Sequence, residues 1–213
     1  MKIKLILSMI LMSYLNTVAQ NITSFVDTRD NRIYIIVNVG TQTWMAENLA
    51  YLPDINTPQS NTNTSARYYV YDYNGRSISE AKSSENYKNY GVLYNHAAAI
   101  RACPTGWHLP SDLEWKMLNN HLGRDAGKLK MTSGWKQPNT GATNESMFSA
   151  KPGGVRQPDG EFVEKLIRAY WWGSNVDNLT GECTLVILYY GQTNLILAKS
   201  ESSPGCSVRC IKD

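Results

Sequence analysis

The run Cys103-Pro104-Thr105-Gly106-Trp107-His108-Leu109-Pro110-Ser111-Asp112-Leu113-Glu114-Trp115, answered near the other end by Ser207-Val208-Arg209-Cys210, constrains the fold more than any other feature. Within it, Ser111 and Glu114 have the spacing of a capping box, in which each side chain satisfies a backbone N–H of the first helical turn. Trp115, Leu118 and Leu122 then fall on one helical face, and Gly123 supplies the stop. A helix is predicted there, and Asn95 caps a shorter one through Ala97–Ile100 that ends before Pro104.

Elsewhere the pattern favours strands and loops. Ile33–Val37 is β-branched and aromatic behind a turn-prone Asp30-Asn31, which predicts a hairpin arm, and Gly40 permits a second turn into a short strand at Thr43–Met45. Pro53–Ala66 has almost nothing apolar to bury and reads as a loop, while Arg76–Asn89 is polar and reads as irregular. Between them Tyr68–Tyr73 has strand composition. Leu185–Tyr190 and Leu195–Ala198 are buried-strand candidates joined by Gly191–Asn194, and Ser207–Ile211 is expected to complete their sheet. Two short helices packed on a mainly antiparallel sheet with long loops make an α+β domain.

The start of the chain reads as an export signal. Lys2 and Lys4 precede an apolar Ile3–Leu15, and Thr17-Val18-Ala19 offers a cleavage site before Gln20, giving a signal peptide over 1–19 and one domain over 20–213. The apolar run is shorter than the about 20 residues a bilayer requires, so a chain that does not span the membrane is expected. No cysteine precedes Cys103, which argues against a lipid anchor. Removing Lys2 and Lys4 lowers the formal charge from +3 to +1, leaving no electrostatic case for nucleic acid. The destination is therefore the periplasm, the cell surface or the medium.

Four cysteines in an exported chain favour disulfides. Cys206 and Cys210 on one strand would stand roughly 13 Å apart, beyond disulfide reach. Of the crossed and nested pairings that remain, Cys103–Cys210 with Cys183–Cys206 is preferred, since the motif at each end of the domain carries one cysteine.

Catalytic signatures are missing. His96, His108 and His121 have no zinc spacing, and there is no nucleophile elbow, phosphate loop or dinucleotide fingerprint. No enzymatic activity, metal or cofactor is expected. His108 reads as a partly buried histidine with a hydrogen-bond partner. Six tryptophans and 13 tyrosines stand against three phenylalanines, and such side chains serve both cores and binding faces. Trp44, Trp107, Trp115 and Trp171 are assigned to the core; Trp135, Trp172 and the tyrosines Tyr68, Tyr69, Tyr71 and Tyr73 are the ligand-binding candidates.

The Cys103–Trp115 run and Ser207–Cys210, together with Gln42–Leu49, Tyr90–Asn95, Pro152–Arg156 and Tyr170–Trp172, resemble the Fibrobacter succinogenes major paralogous domain. That resemblance implies a framework but no particular activity. The Ala-rich helix, cysteine, His-Leu-Pro and Glu-Trp order is in turn similar to C-type lectin-like domains and to the sulfatase-modifying, formylglycine-generating family. It implies chain ends that meet in one sheet, stapled by Cys103 and Cys210. The sulfatase-modifying relatives use two copper-binding cysteines, and Glu201 stands about where one of them belongs. Gln157-Pro158-Asp159 is similar to a calcium and sugar motif of some C-type lectins, with Asn175, Asp177 and Asn178 as further oxygens, although the downstream Trp-Asn-Asp set is missing. The function implied is an exported binding module for a glycan or a surface protein, with an oxidase relative or a structural component of a surface assembly as alternatives. Specificity is expected in Pro53–Asn89 and Gly134–Ser146, with Gln157–Gly160 beside Trp172 as a secondary patch.

Overall fold

The computed structural model describes residues 23–213; the expected signal peptide lies outside them. The first half of the chain runs β1 (Thr23–Asp27), β2 (Arg32–Val39), β3 (Gln42–Met45), β4 (Tyr68–Tyr69), α1 (Ile78–Ser83), α2 (Glu85–Tyr90), β5 (Leu93–Tyr94), α3 (His96–Ala99), β6 (Trp107–His108) and α4 (Asp112–His121). A 3-10 turn at Ala126–Leu129 follows, then β7 (Val155–Arg156), β8 (Phe162–Val163), β9 (Arg168–Val176), β10 (Cys183–Tyr189), β11 (Ile196–Ser200) and β12 (Ile211–Lys212).

β1 and β2 form the expected hairpin, turning through Asn31 at φ 59°. β12 enters between β3 and β6, so the five-stranded sheet has the order β1-β2-β3-β12-β6 and unites the two ends of the described chain. Cys103–Cys210 closes beside it, with Cα atoms 5.9 Å apart across a sequence separation of 107. In the chain-entropy account a loop of that length stabilises the fold by about 4 to 5 kcal/mol. β9, β10 and β11 make a separate antiparallel sheet of three strands, and β4–β5 and β7–β8 are two-stranded.

Two clusters fill the interior. In one, α4 turns Trp115 and Leu118 onto Trp44, Phe148 and Trp171, with the Trp44 and Trp115 ring centroids 4.8 Å apart. The capping box of Ser111 and Glu114 is present, so the helix starts where its sequence indicates. In the other, Tyr34, Tyr94, Trp172 and Val208 pack under α1, α2 and α3.

Several expectations are corrected. Arg76–Asn89 is helical rather than irregular: Ser77 caps α1, Ser84 caps α2, and Ala81 and Tyr87 supply just enough apolar contact to bind both turns to the core. The domain therefore has four short α-helices among its described residues, not two. The Tyr68–Tyr73 strand stops at Tyr69, because the chain turns through Asp72 at φ 59°. Ser207–Ile211 does not extend the β10–β11 sheet; its regular part, β12, pairs with β3 and β6. Cys183 and Cys206 are not bonded to each other but are buried free thiols. Cys183 is held in β10 opposite Val176 and Ser200, while Cys206 is bridged to Tyr94, so separate backbone ladders fix the two sulfurs.

Candidate functional site

Arg209 interrupts the apolar segment Val208–Ile211, and its side chain is buried. No carboxylate pairs with it among the described residues. Instead, Nη1 donates to the carbonyls of Met45 and Phe148, and Nη2 donates to Asn48 Oδ1 at 2.8 Å. The guanidinium carbon also lies 4.3 Å from the centre of the Phe148 ring. Asn48 is the hub. Its Oδ1 also accepts from Trp171 Nε1 at 2.9 Å, and its Nδ2 donates to Tyr90 O at 3.0 Å and Ser207 Oγ at 3.1 Å. Burial pushes the Arg209 pKa down to about 9, against the opposing pull of Glu47.

A cavity of about 30 Å3 opens above this network, lined by Arg32, Glu47, Asn48, Tyr90, Lys151 and Arg209 among others. It shares Asn89, Tyr90 and Lys151 with a neighbouring cleft of about 370 Å3 that extends over Met131 and Pro152 to Gly134. Gly134 in turn borders an apolar cleft of about 420 Å3 formed by Trp135, Lys136, Lys165, Leu166 and Ile167. The three make one groove, polar and cationic at the Arg209 end and apolar at the Trp135 end.

The apolar end is held by backbone bonds. Lys136 N donates to Leu166 O at 2.7 Å, and Leu166 N donates to Pro152 O at 2.9 Å. Glu164 and Leu166 adopt φ of 64° and 69°, a region unfavourable to side chains other than glycine, and Leu166 nevertheless leaves 44 % of its surface exposed. Of the adjoining lysines, Lys165 Nζ lies 3.2 Å from Asp72 Oδ2 and donates to Asn86 Oδ1 at 3.3 Å, whereas Lys136 Nζ stands 5.4 Å from the Tyr190 ring centre.

The aromatic candidates are mostly core. Trp172 is fully buried, donating to Tyr94 O at 2.7 Å and meeting His96 edge-on, so it is no partner for a Gln157–Gly160 surface patch. Tyr69 and Tyr71 are buried, Tyr71 against Phe162. Tyr68 packs on Tyr94 and Tyr73 hydrogen-bonds Ser77 and Glu80; both are half-buried. Trp135 is buried too, donating to Ala150 O at 3.0 Å, but it also floors the apolar cleft. The alternation that suggested a tyrosine strand carried no polar contrast, and packing between loops and sheet used both faces.

The candidate calcium oxygens of Asp159, Asn175 and Asp177 are already engaged by backbone N–H groups, at the β7–β8 turn and around the end of β9. Asp159 Oδ1 accepts from Glu161 N within the β7–β8 turn, which Gln157 closes through its backbone. Asn175 Oδ1 caps Asp112 N, and Asp177 Oδ1 accepts from Leu179 N and Thr180 N. Those two backbone bonds hold the Asp177 carboxyl below its usual pKa. Among the described residues, no group of three or more His, Cys, Asp or Glu side chains is placed to hold a metal ion.

Asn48 and Arg209 were not among the candidate residues. The available signal was an arginine embedded in an apolar terminal segment, a position it occupies only when most of its donors are met elsewhere.

These contacts define a small α+β domain with mainly antiparallel sheets, stapled at its ends and carrying one long groove. The chain belongs to the Fibrobacter succinogenes major domain family, which matches it over residues 37–212. No curated protein and no solved structure matches it.

Proposed function

We propose that the chain is an exported binding module without catalytic activity, built on a C-type lectin-like scaffold, and that it holds a surface protein in the Trp135–Leu166 end of its groove. Export is supported by the charged start and apolar run of the sequence and by the Cys103–Cys210 disulfide. Among the described residues no helix is long and apolar enough to cross a membrane. The scaffold reading is supported by β12 lying between β3 and β6, with the disulfide beside it.

The exposed Leu166, kept in a left-handed conformation above an apolar floor, carries the reading. A side chain that is both conformationally unfavourable and poorly buried contributes little to folding, and it is well placed for a partner's apolar side chain. A protein segment suits this cleft better than a sugar does, because Trp135 is only 5 % exposed and leaves no open ring face for a sugar to stack on. Leu166→Asp is expected to abolish retention of a specific envelope protein by the immobilised chain, with its melting temperature preserved. A glycan-array signal insensitive to Leu166→Asp would overturn the assignment.

A further inference from the structure

Two arginines, Arg32 on β2 and Arg209 just before β12, line the same cavity. Arg209 Nε is buried without a hydrogen-bond partner, and so is Arg32 Nε; both residues line the cavity of about 30 Å3. The lining charges are Arg32, Lys88, Lys151 and Arg209 against the single carboxylate of Glu47. That carboxylate is already engaged by Arg32 Nη2 at 3.4 Å and Ile35 N at 3.3 Å. Lys88 pairs with Glu85 at 2.8 Å, outside the cavity, whereas Lys151 makes no ion pair among the described residues. Every acceptor that reaches Arg209 is a neutral carbonyl or amide oxygen.

From this geometry we infer that the Arg209–Arg32–Lys151 cavity is a binding site for a carboxylate group. A water molecule would fill the cavity but would leave its four cations facing the single, already engaged carboxylate of Glu47, an imbalance that is unfavourable in a poorly solvated site. A carboxylate supplies the missing negative charge; charge-assisted N–H···O bonds to arginine are short and strong, and its two oxygens can serve two donors at once. The cavity admits a group of that size and little more, and the adjoining cleft over Tyr90 and Pro152 gives the rest of the molecule an exit. The site stands independently of the partner assigned to the apolar end, since a free carboxylate should occupy it.

The test is calorimetric titration of the purified chain with sodium acetate, sodium glucuronate and inorganic phosphate, at an ionic strength held constant with chloride. Saturable 1:1 binding of the carboxylates is expected, weakened at least tenfold in Arg32→Gln and in Lys151→Gln. Lys151 lies at the cavity rim without an ion pair among the described residues, so Lys151→Gln should keep the native melting temperature, which Arg32→Gln and Arg209→Met need not do. Absence of saturable binding, equal affinity in Arg32→Gln and Lys151→Gln, or tighter binding of phosphate than of either carboxylate would each overturn the inference. Retention of the envelope protein is measured separately with Leu166→Asp, so failure at one end of the groove is distinguished from failure at the other.

Discussion

Lys130, Arg156 and Arg209 are buried cations that no carboxylate neutralises among the described residues, and each ties distant loops together through their carbonyl oxygens. Lys130 Nζ lies within hydrogen-bond distance of the carbonyls of Thr140, Tyr189, Tyr190 and Gln192, which share its three N–H donors. Arg156 donates to Pro58, Asn61 and Ser203 and so anchors the polar Pro53–Ala66 loop, which has little apolar surface of its own to bury. Multiple donors on one side chain let a single buried residue satisfy several otherwise orphaned carbonyls. The unpaired cysteines make the opposite case: burial pushes both the Cys183 and Cys206 thiols above their usual pKa, which suppresses the reactive thiolate. Native protein is therefore expected to show no rapid labelling by a thiol reagent, and unfolded, unreduced protein two equivalents. Zero equivalents after unfolding would mean that the two are bonded after all.

At the scale of elements, His108 links three pieces of the fold. Its Nδ1 lies 2.6 Å from Asp213 Oδ1 beyond β12, and its Nε2 lies 2.7 Å from Glu114 Oε1 on α4. Partial burial opposes its charge, but the bonds to Asp213 and Glu114 prevail and raise its pKa. A histidine pKa raised by folding means that the folded state holds the proton more tightly. The stabilisation is complete below the unfolded value of about 6.5 and is lost as pH rises through the folded value. Thermal melts of the chain and of His108→Gln between pH 5 and 8 are expected to differ most at the acid end and to converge as pH rises. A constant difference would show that the histidine acts only through packing. The α4 capping box was legible in the sequence because it is local, whereas the Asp213 partner lies 105 residues away.

Across the whole molecule, Cys103–Cys210 and β12 make the two ends of the domain depend on one another. Replacing both cysteines by serine is expected to lower stability by about 2 to 5 kcal/mol, read as the shift in denaturant midpoint at unchanged slope. An unchanged midpoint would mean that sheet pairing alone holds the ends. The sequence by itself determined the family, the capped helix α4, the hairpins β1–β2 and β10–β11, and the pairing of Cys103 with one end motif. Each rests on local periodicity, capping chemistry or motif identity. Tertiary structure decided the rest: that Ser77 and Ser84 start helices in a polar stretch, that Trp135, Trp172, Tyr69 and Tyr71 are interior, that Cys183 and Cys206 stay apart, and that Asn48 and Arg209 meet beneath a groove. Burial and hydrogen-bond partnership over long separations depend on which surfaces the sheets bring together, and residue spacing along the chain does not encode that directly.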